Sequence, residues 1–184
     1  MSVKLELISK NNSHHLDEIK NIYEYSFPPE EKVDFELIKK SIFEESDFLI
    51  YAILYNNILA GFITYLKINN YAIGCYFAIK NDLRGKNIGT EALKLFQKQN
   101  QGNTIVGEIE FPISQDAERR LNFYKANGFI IKDYGYLQPP ISPASSPLPL
   151  LIISYPHELS QEEYQQVRKI LYEKVYHADV DLYK

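Results

Sequence analysis

Residues 80–93, KNDLRGKNIGTEAL, decide how the rest of the sequence is interpreted. They follow an apolar, strand-like run and lead into a segment whose apolar residues recur on one helical face. A loop between a strand and a helix N-terminus favours anion binding, because the first N–H groups of the helix lack partners and the helix dipole attracts negative charge. Gly85 and Gly89 allow close approach of a ligand to the backbone, and Arg84 and Lys86 add positive charge.

The loop differs from two familiar phosphate-binding patterns, because it lacks the G-x-G-x-x-G spacing and no G-K-[ST] closes it. It resembles instead the pyrophosphate loop of the GNAT superfamily of N-acetyltransferases, Gln/Arg-x-x-Gly-x-Gly/Ala. Arg84 and Gly89 match that motif, and Asn87 stands in place of its first glycine. Asn is the residue that, after Gly, best tolerates a left-handed backbone. The alternative interpretation is a surface turn with solvated charges.

A second segment, 119–129 (RRLNFYKANGF), resembles the later GNAT motif, a helix that carries a tyrosine and ends at Gly-Phe. Tyr124 stands four residues before Gly128, which is placed to end the helix. The resemblance covers residues 3–137. It implies an α/β (α+β) fold of the GNAT type, with a central mixed and mostly antiparallel sheet flanked by helices.

Composition sets the broad class of protein. The chain has 184 residues, a formal net charge of −4 and one Cys. We expect a single domain over 1–184, with 156–184 as a C-terminal helical extension. The mild acidity argues against a nucleic-acid partner. No apolar run approaches the length of a bilayer span and no signal-like segment is evident, so we expect no membrane partner and a cytoplasmic location, as monomer or homodimer.

Hydrophobic periodicity predicts the secondary structure. Asn pairs at 56–57 and 69–70 indicate tight turns of an antiparallel meander, and a Pro/Ser-rich loop is expected over 138–149. Strands are predicted over 3–8, 48–55, 58–67, 71–79, 104–111, 129–137 and 150–155. Helices are predicted from a cap at 11–13 to about 25, and over 33–44, 88–99, 117–127 and 160–176.

The GNAT resemblance implies acetyl transfer from acetyl-CoA to a primary amine by direct attack. In the family, the main chain of the strand before the loop pairs with the pantetheine arm, and Ile79 falls where an N–H meets the thioester carbonyl. Tyr124 takes the place of the tyrosine that protonates the leaving thiolate; a core tyrosine is the alternative. The residues implied to bind acetyl-CoA are Phe77, Ile79, Arg84, Gly85, Lys86, Asn87, Ile88, Gly89, Thr90 and Tyr124.

Two carboxylates are candidates for the general base. Period two in the predicted strand 104–111 puts Glu108 and Glu110 on one face. One interpretation is a base with a raised pKa, for which we favour Glu108 over Glu110 because it lies deeper in the strand. The other is that these side chains reach water or pair with Arg119 or Arg120.

The acceptor is expected to be an amine-bearing small molecule or peptide. In the family the first two helices and their connection form one wall of its site, here residues 27–31, although a rigid Pro-Pro corner whose Phe27 fills the core is the alternative. No metal site is expected; His14 and Glu18, one helical turn apart, are interpreted as solvated. The alternative function is a non-catalytic acyl-CoA-binding sensor or interaction module on the same fold.

Overall fold

The structure, a computed structural model, describes residues 2–45, 47–141 and 146–181. The chain divides into two compact units, Met1–Asn103 and Thr104–Lys184. The single domain with a C-terminal extension from residue 156 stays a prediction. Each unit has its own antiparallel strands and its own helices.

The first unit is an antiparallel meander with three helices. Its strands pair in the order β1-β2-β3-β4. Asn56, Asn57 and Asn69 have φ values of 51°, 65° and 53°, so the predicted turns do use left-handed asparagines. The elements are β1 (Val3–Leu7), α1 (Leu16–Ser26), α2 (Phe35–Glu44), β2 (Phe48–Tyr55), β3 (Ile58–Ile68), β4 (Tyr71–Ile79) and α3 (Ile88–Gln99), with 3-10 turns at Pro29–Glu31 and Asn81–Leu83.

Helices cover both faces of this meander. α1 and α2 bury their apolar faces against a cluster that includes Phe62 of β3. Phe27 packs against the same cluster, with its ring 5.0 Å from that of Tyr76, as the core-filling interpretation of this residue predicts. On the opposite face of β3, the Tyr65 ring meets Phe96 of α3 edge-on at 4.9 Å.

The described residues of the second unit form three strands and two helices, and the strands pair antiparallel in the order β5-β7-β6. Ser160 and Glu163 form the predicted capping box of the last helix. The elements are β5 (Thr104–Ile109), α4 (Gln115–Ala126), β6 (Ile130–Gln138), β7 (Leu148–Tyr155) and α5 (Gln161–Ile170), followed by a π-helical turn at Leu171–Val175.

Several predicted boundaries are wrong. β5 ends at Ile109, so Glu110 follows the strand instead of sharing its face with Glu108. The predicted cap at 11–13 is not used: α1 begins at Leu16, and its N-cap, His15, makes no side-chain capping bond. α4 begins earlier than expected because Ser114 accepts a hydrogen bond from the Ala117 N–H. Part of the predicted loop, 142–145, lies outside the described residues.

In the described ranges, no helix combines the length and the apolar character that a bilayer span requires.

Gly61 lies where β3 and β4 approach too closely for a side chain. A Cβ added there would lie 2.1 Å from the Ala78 carbonyl oxygen, which is backbone and cannot easily move. Gly61→Ala should therefore lower the free energy of unfolding by about 2 kcal/mol or more, although Gly→Ala inside a strand ordinarily gains about 0.5–1 kcal/mol. Urea unfolding measures this change.

Gly107→Ala of β5 is the matched control for Gly61→Ala. A Cβ at Gly107 would meet the flexible Ile153 side chain at 3.2 Å, so a small shift relieves the contact. Equal costs for the two substitutions would contradict the steric argument.

Candidate active site

The loop between β4 and α3 leaves a helix N-terminus available to a ligand. Gly85 and Asn87 have φ values of 75° and 63°, so Asn87 does adopt the left-handed backbone expected of it. The first intrahelical bond is donated by the Glu91 N–H to the Asn87 carbonyl at 3.1 Å. The N–H groups of Ile88, Gly89 and Thr90 precede that bond, as in any first helical turn.

The side chain at the N-cap position does not cap those N–H groups. Asn87 makes no side-chain capping bond, and its amide instead donates to Glu91 Oε1 at 3.3 Å. The Arg84 Nε donates to the Ile79 carbonyl at 3.1 Å, which ties the loop to the end of β4. Lys86 is exposed. A helix N-terminus preceded by a loop with two cationic residues is an arrangement that can bind an anion.

The β4 main chain directs polar groups to the side away from β3. The Lys80 N–H bonds the Ala60 carbonyl at 2.8 Å, so the neighbouring pair Gly61–Ile79 is a non-hydrogen-bonded pair of the antiparallel ladder. The Ile79 N–H and C=O therefore point away from β3, and the main chain of Phe77, two residues earlier, has the same orientation. Main-chain groups in this orientation are those that an extended ligand uses when it pairs with a strand.

A β-bulge lies in the middle of β4, and sequence analysis missed it. The pairing with β3 shifts between Thr64–Tyr76 and Tyr65–Gly74, so Cys75 is the extra residue. The Thr64 hydroxyl, fully buried, accepts from the Tyr76 N–H at 2.9 Å. A buried Thr within an otherwise apolar strand was the available signal. Bulges often re-aim a strand next to a functional site.

Glu108 of β5 has a buried carboxyl among tyrosines. Its Oε2 accepts a hydrogen bond from the Tyr176 hydroxyl at 2.7 Å, and its Oε1 is buried without a partner of good geometry. The buried Tyr136 hydroxyl lies close by. Burial raises the pKa of Glu108 to about 7, against the opposing effect of the Tyr136 and Tyr176 hydroxyls. A carboxyl with this pKa is poised to exchange a proton at neutral pH.

Tyr124 and Glu110 lie on the α4 side. Glu110 forms an ion pair with Arg120 of α4, as the second interpretation of this carboxylate predicts. Tyr124 is half-buried, and its ring lies 5.3 Å from Phe129. Burial raises the pKa of the Tyr124 hydroxyl to about 12, Arg120 opposes this, and Glu110 adds to it. The phenol is therefore protonated at neutral pH.

Glu108 and Tyr124 lie on opposite faces of the three strands of the second unit. Tyr124 packs on Phe129, which packs on Tyr155, and Tyr155 pairs with Ile105. Ile105 and Glu108 are an odd number of residues apart in β5, so their side chains point to opposite faces. The two side chains can act on one reaction centre only if that centre lies beside β5. A centre above either face of the strands would be reached by only one of them.

Among the residues that the structure describes, one group of side chains has the geometry to hold a metal ion. Glu6, His14 and His15 of the first unit bring their ligand atoms within 4.8 Å of one another. His14 is exposed, and Glu6 Oε1 already accepts a hydrogen bond from Asn12 at 3.0 Å. Glu18, which the sequence paired with His14, forms an ion pair with Lys80 instead.

Comparison with known proteins bears on the family and the fold. A family model described as "Acetyltransferase (GNAT) family" matches residues 16–129. No relative is found among curated protein sequences. A GNAT-family protein from Bacteroides thetaiotaomicron is 26% identical, with a TM-score of 0.89 over 96% of this chain and 99% of that one.

More distant structures share the fold. An aminoglycoside 6′-N-acetyltransferase complexed with coenzyme A is 17% identical, with a TM-score of 0.63 over 86% of this chain and 100% of that one. The ribosomal-protein-S18-alanine N-acetyltransferase from Escherichia coli is 14% identical, with a TM-score of 0.60 over 88% of this chain and 97% of that one.

The chain belongs to the GNAT family of acetyltransferases. The predicted fold class is confirmed: an α/β protein with mostly antiparallel strands flanked by helices. The matched segment includes the loop at 84–90 and the helix of Tyr124, but ends before Tyr136 and Tyr176.

The burial of Glu108 predicts a pH-dependent stability. Because the pKa rises from 4.5 to about 7 on folding, the folded chain binds more protons than the unfolded chain between these pH values, and stability falls as pH rises through them. Glu108→Gln should therefore gain stability relative to the wild type between pH 4.5 and pH 8, by on the order of 3 kcal/mol at most.

Thermal or urea unfolding at pH 5 and pH 8 measures this difference. Glu110→Gln, which removes an ion pair whose partners are 46% and 32% exposed, is the control and should change stability by no more than about 1 kcal/mol at either pH. A pH-independent effect of Glu108→Gln would contradict the buried, proton-binding carboxyl.

Proposed function

We propose that this protein transfers the acetyl group of acetyl-CoA to a primary amine by direct attack. The observation that carries the proposal is the loop at 84–90 in a chain of the GNAT family. A left-handed Asn87 is followed there by a helix N-terminus that the Asn87 side chain does not cap. Such a terminus suits the diphosphate of acetyl-CoA.

The donor-binding residues follow from this placement. Gly85 to Thr90 hold the diphosphate through their main chain, while Arg84 and Lys86 supply charge. The pantetheine arm runs along β4 on the side away from β3, toward which Phe77 and Ile79 direct main-chain groups. The Ile79 N–H then acts as the donor that stabilises the tetrahedral oxyanion.

Glu108 is proposed as the general base. An alkyl amine with a pKa of about 10.4 is neutral in only about one molecule in a thousand at pH 7, a handicap of about 4 to 5 kcal/mol. Only that neutral fraction can attack, and a carboxylate that takes the proton lost by the attacking nitrogen lowers the barrier of the attack itself. The buried position of Glu108 and its raised pKa support this role, whereas Glu110, already paired with Arg120, is the less suited of the two candidates.

Tyr124 is proposed as the general acid. Its phenol carries a proton at neutral pH and can donate it as negative charge develops on the leaving sulfur. The burial that raises the pKa of the phenol would also raise the pKa of a thiol leaving beside it. The two pKa values therefore shift in the same direction, and proton transfer between the groups stays accessible.

The acceptor class remains an amine-bearing small molecule or peptide. A cytoplasmic location and a monomer or homodimer complete the proposal, together with a single domain over 1–184. The alternative, a non-catalytic acyl-CoA-binding module, shares the donor loop and differs only in turnover. An assay with free-thiol detection over a panel of amines separates the two, because binding without turnover for any amine would favour the module.

The loop makes a direct prediction about donor binding. Asn87→Gly keeps a residue that adopts φ near +63° readily, so the Kd for CoA should stay within about threefold. Asn87→Val puts a β-branched side chain in that conformation, which costs about 1–2 kcal/mol and should weaken CoA binding about tenfold or more. Isothermal titration calorimetry measures both variants. Equal affinities would exclude the loop as the diphosphate site.

The acid role of Tyr124 makes a second prediction. Tyr124→Phe should lower kcat by about tenfold to a hundredfold, while the Kd for acetyl-CoA stays within about twofold, because the phenol acts only as the thiol leaves. Tyr134→Phe, whose hydroxyl donates to the Leu159 carbonyl at 2.5 Å, is the control and should retain the wild-type kcat. An unchanged kcat in Tyr124→Phe would remove Tyr124 from the mechanism.

A further inference from the structure

The two oxygens of the Glu108 carboxyl lie in different surroundings, and the residue as a whole is partly exposed. Its Oε1 is buried, and its Oε2 accepts a hydrogen bond from the Tyr176 hydroxyl at 2.7 Å. Tyr176 is half-buried as well. A proton that reaches Oε2 along this hydrogen bond passes through the Tyr176 hydroxyl.

An irregular helical turn places Tyr176 there. Ile170, Leu171 and Tyr172 are three consecutive buried residues, more than one stripe of a regular α-helix can bury. The chain responds with the π turn Leu171–Val175, which is closed by a bond from the Tyr176 N–H to the Leu171 carbonyl at 2.9 Å. The extra residue rotates the residues after it by about 100° relative to an α-helix. π turns of this kind are frequent at functional sites.

We propose that Tyr176 is a further catalytic residue, the proton relay between the acceptor amine and Glu108. As nitrogen attacks the thioester, the N–H bond of the amine breaks and its proton bonds to the Tyr176 oxygen. In the same step the Tyr176 O–H bond breaks and that proton bonds to Glu108 Oε2. Tyr176 ends neutral, Glu108 ends protonated, and the electron pair of the former N–H bond stays on nitrogen. This inference rests on the proposed acetyl transfer.

The surroundings of Glu108 favour this route over others. On β6, the Tyr136 side chain is almost fully buried and its hydroxyl is not accessible. On β7, the residue opposite Glu108 is Ile152, which cannot carry a proton. Tyr172 donates its hydroxyl to the Leu137 carbonyl, and the Arg168 guanidinium lies 4.3 Å from the Tyr172 ring, one layer further from the carboxyl. Tyr176 alone among these combines a bond to Glu108 with partial exposure.

The experiment compares Tyr176→Phe with Tyr172→Phe in the full chain, using acetyl-CoA and the best amine of the panel. Tyr176→Phe should lower kcat/KM at pH 7 by about tenfold to a hundredfold and abolish the acid limb near pH 7, because Glu108 can no longer take the proton. Tyr172→Phe removes another hydroxyl of the same segment, one that donates to the Leu137 carbonyl and not to Glu108. Its kcat/KM should stay within about twofold of the wild type. The double variant Glu108→Gln/Tyr176→Phe should lose no more than either single variant, since the two groups act in series.

Other outcomes overturn separate parts of the scheme. A retained acid limb displaced to higher pH in Tyr176→Phe would mean that the hydroxyl only stabilises the carboxylate, and would overturn the relay. Loss of rate in Glu108→Gln with none in Tyr176→Phe would overturn the relay and leave the base in place. If neither variant slows a wild type that does turn over, both roles fall. A wild type that binds acetyl-CoA but acetylates no amine would overturn the proposed function and the relay with it.

Discussion

The first turn of α3 is the constraint on which the candidate site depends. Every helix begins with N–H groups that its own backbone cannot satisfy, and most helices cover them with a side-chain cap. Here Asn87 occupies the cap position in a left-handed conformation, turns its amide to Glu91, and makes no capping bond. Arg84 is meanwhile tied to the end of β4. The loop is thus built at the expense of local helix stability, and an anion is the partner that would restore it.

In the second unit, the buried carboxyl of Glu108 is the destabilising feature. A buried carboxylate is unfavourable unless it is well hydrogen-bonded, and within the described part of the chain Glu108 has one bond of good geometry, from Tyr176. A structural role would be served better by an apolar residue such as the Ile152 that faces it across the ladder. Buried groups with raised pKa values are common at catalytic sites because the same desolvation that destabilises the charge makes it a stronger base. The first unit therefore exposes backbone donors, and the second hides a titratable acid.

Local sequence patterns were enough to predict most strands and helices. The features that were missed depend on contacts between residues far apart in the chain. Period-two runs and Asn turns predicted β2 to β4 closely, because each depends on neighbours in the chain. The β4 bulge was missed because it depends on the buried Thr64 of another strand. The Tyr176–Glu108 bond joins residues 68 apart in the chain, and no spacing rule indicates it. Glu110 looked equivalent to Glu108 only while β5 was expected to continue past Ile109.

The candidate residues fall partly inside and partly outside the segment that the family model matches. The family model matches residues 16–129, which contain the loop at 84–90, β4 and Tyr124. Tyr136 and Tyr176, the two tyrosines beside Glu108, both come after that segment. The π turn that orients Tyr176 follows three consecutive buried residues near the end of the described chain. In the proposed reaction, the diphosphate contacts are the same for every acceptor, whereas the removal of the amine proton depends on the amine. The proposal therefore assigns donor binding to the matched segment, and the removal of the proton in part to Tyr176 after it.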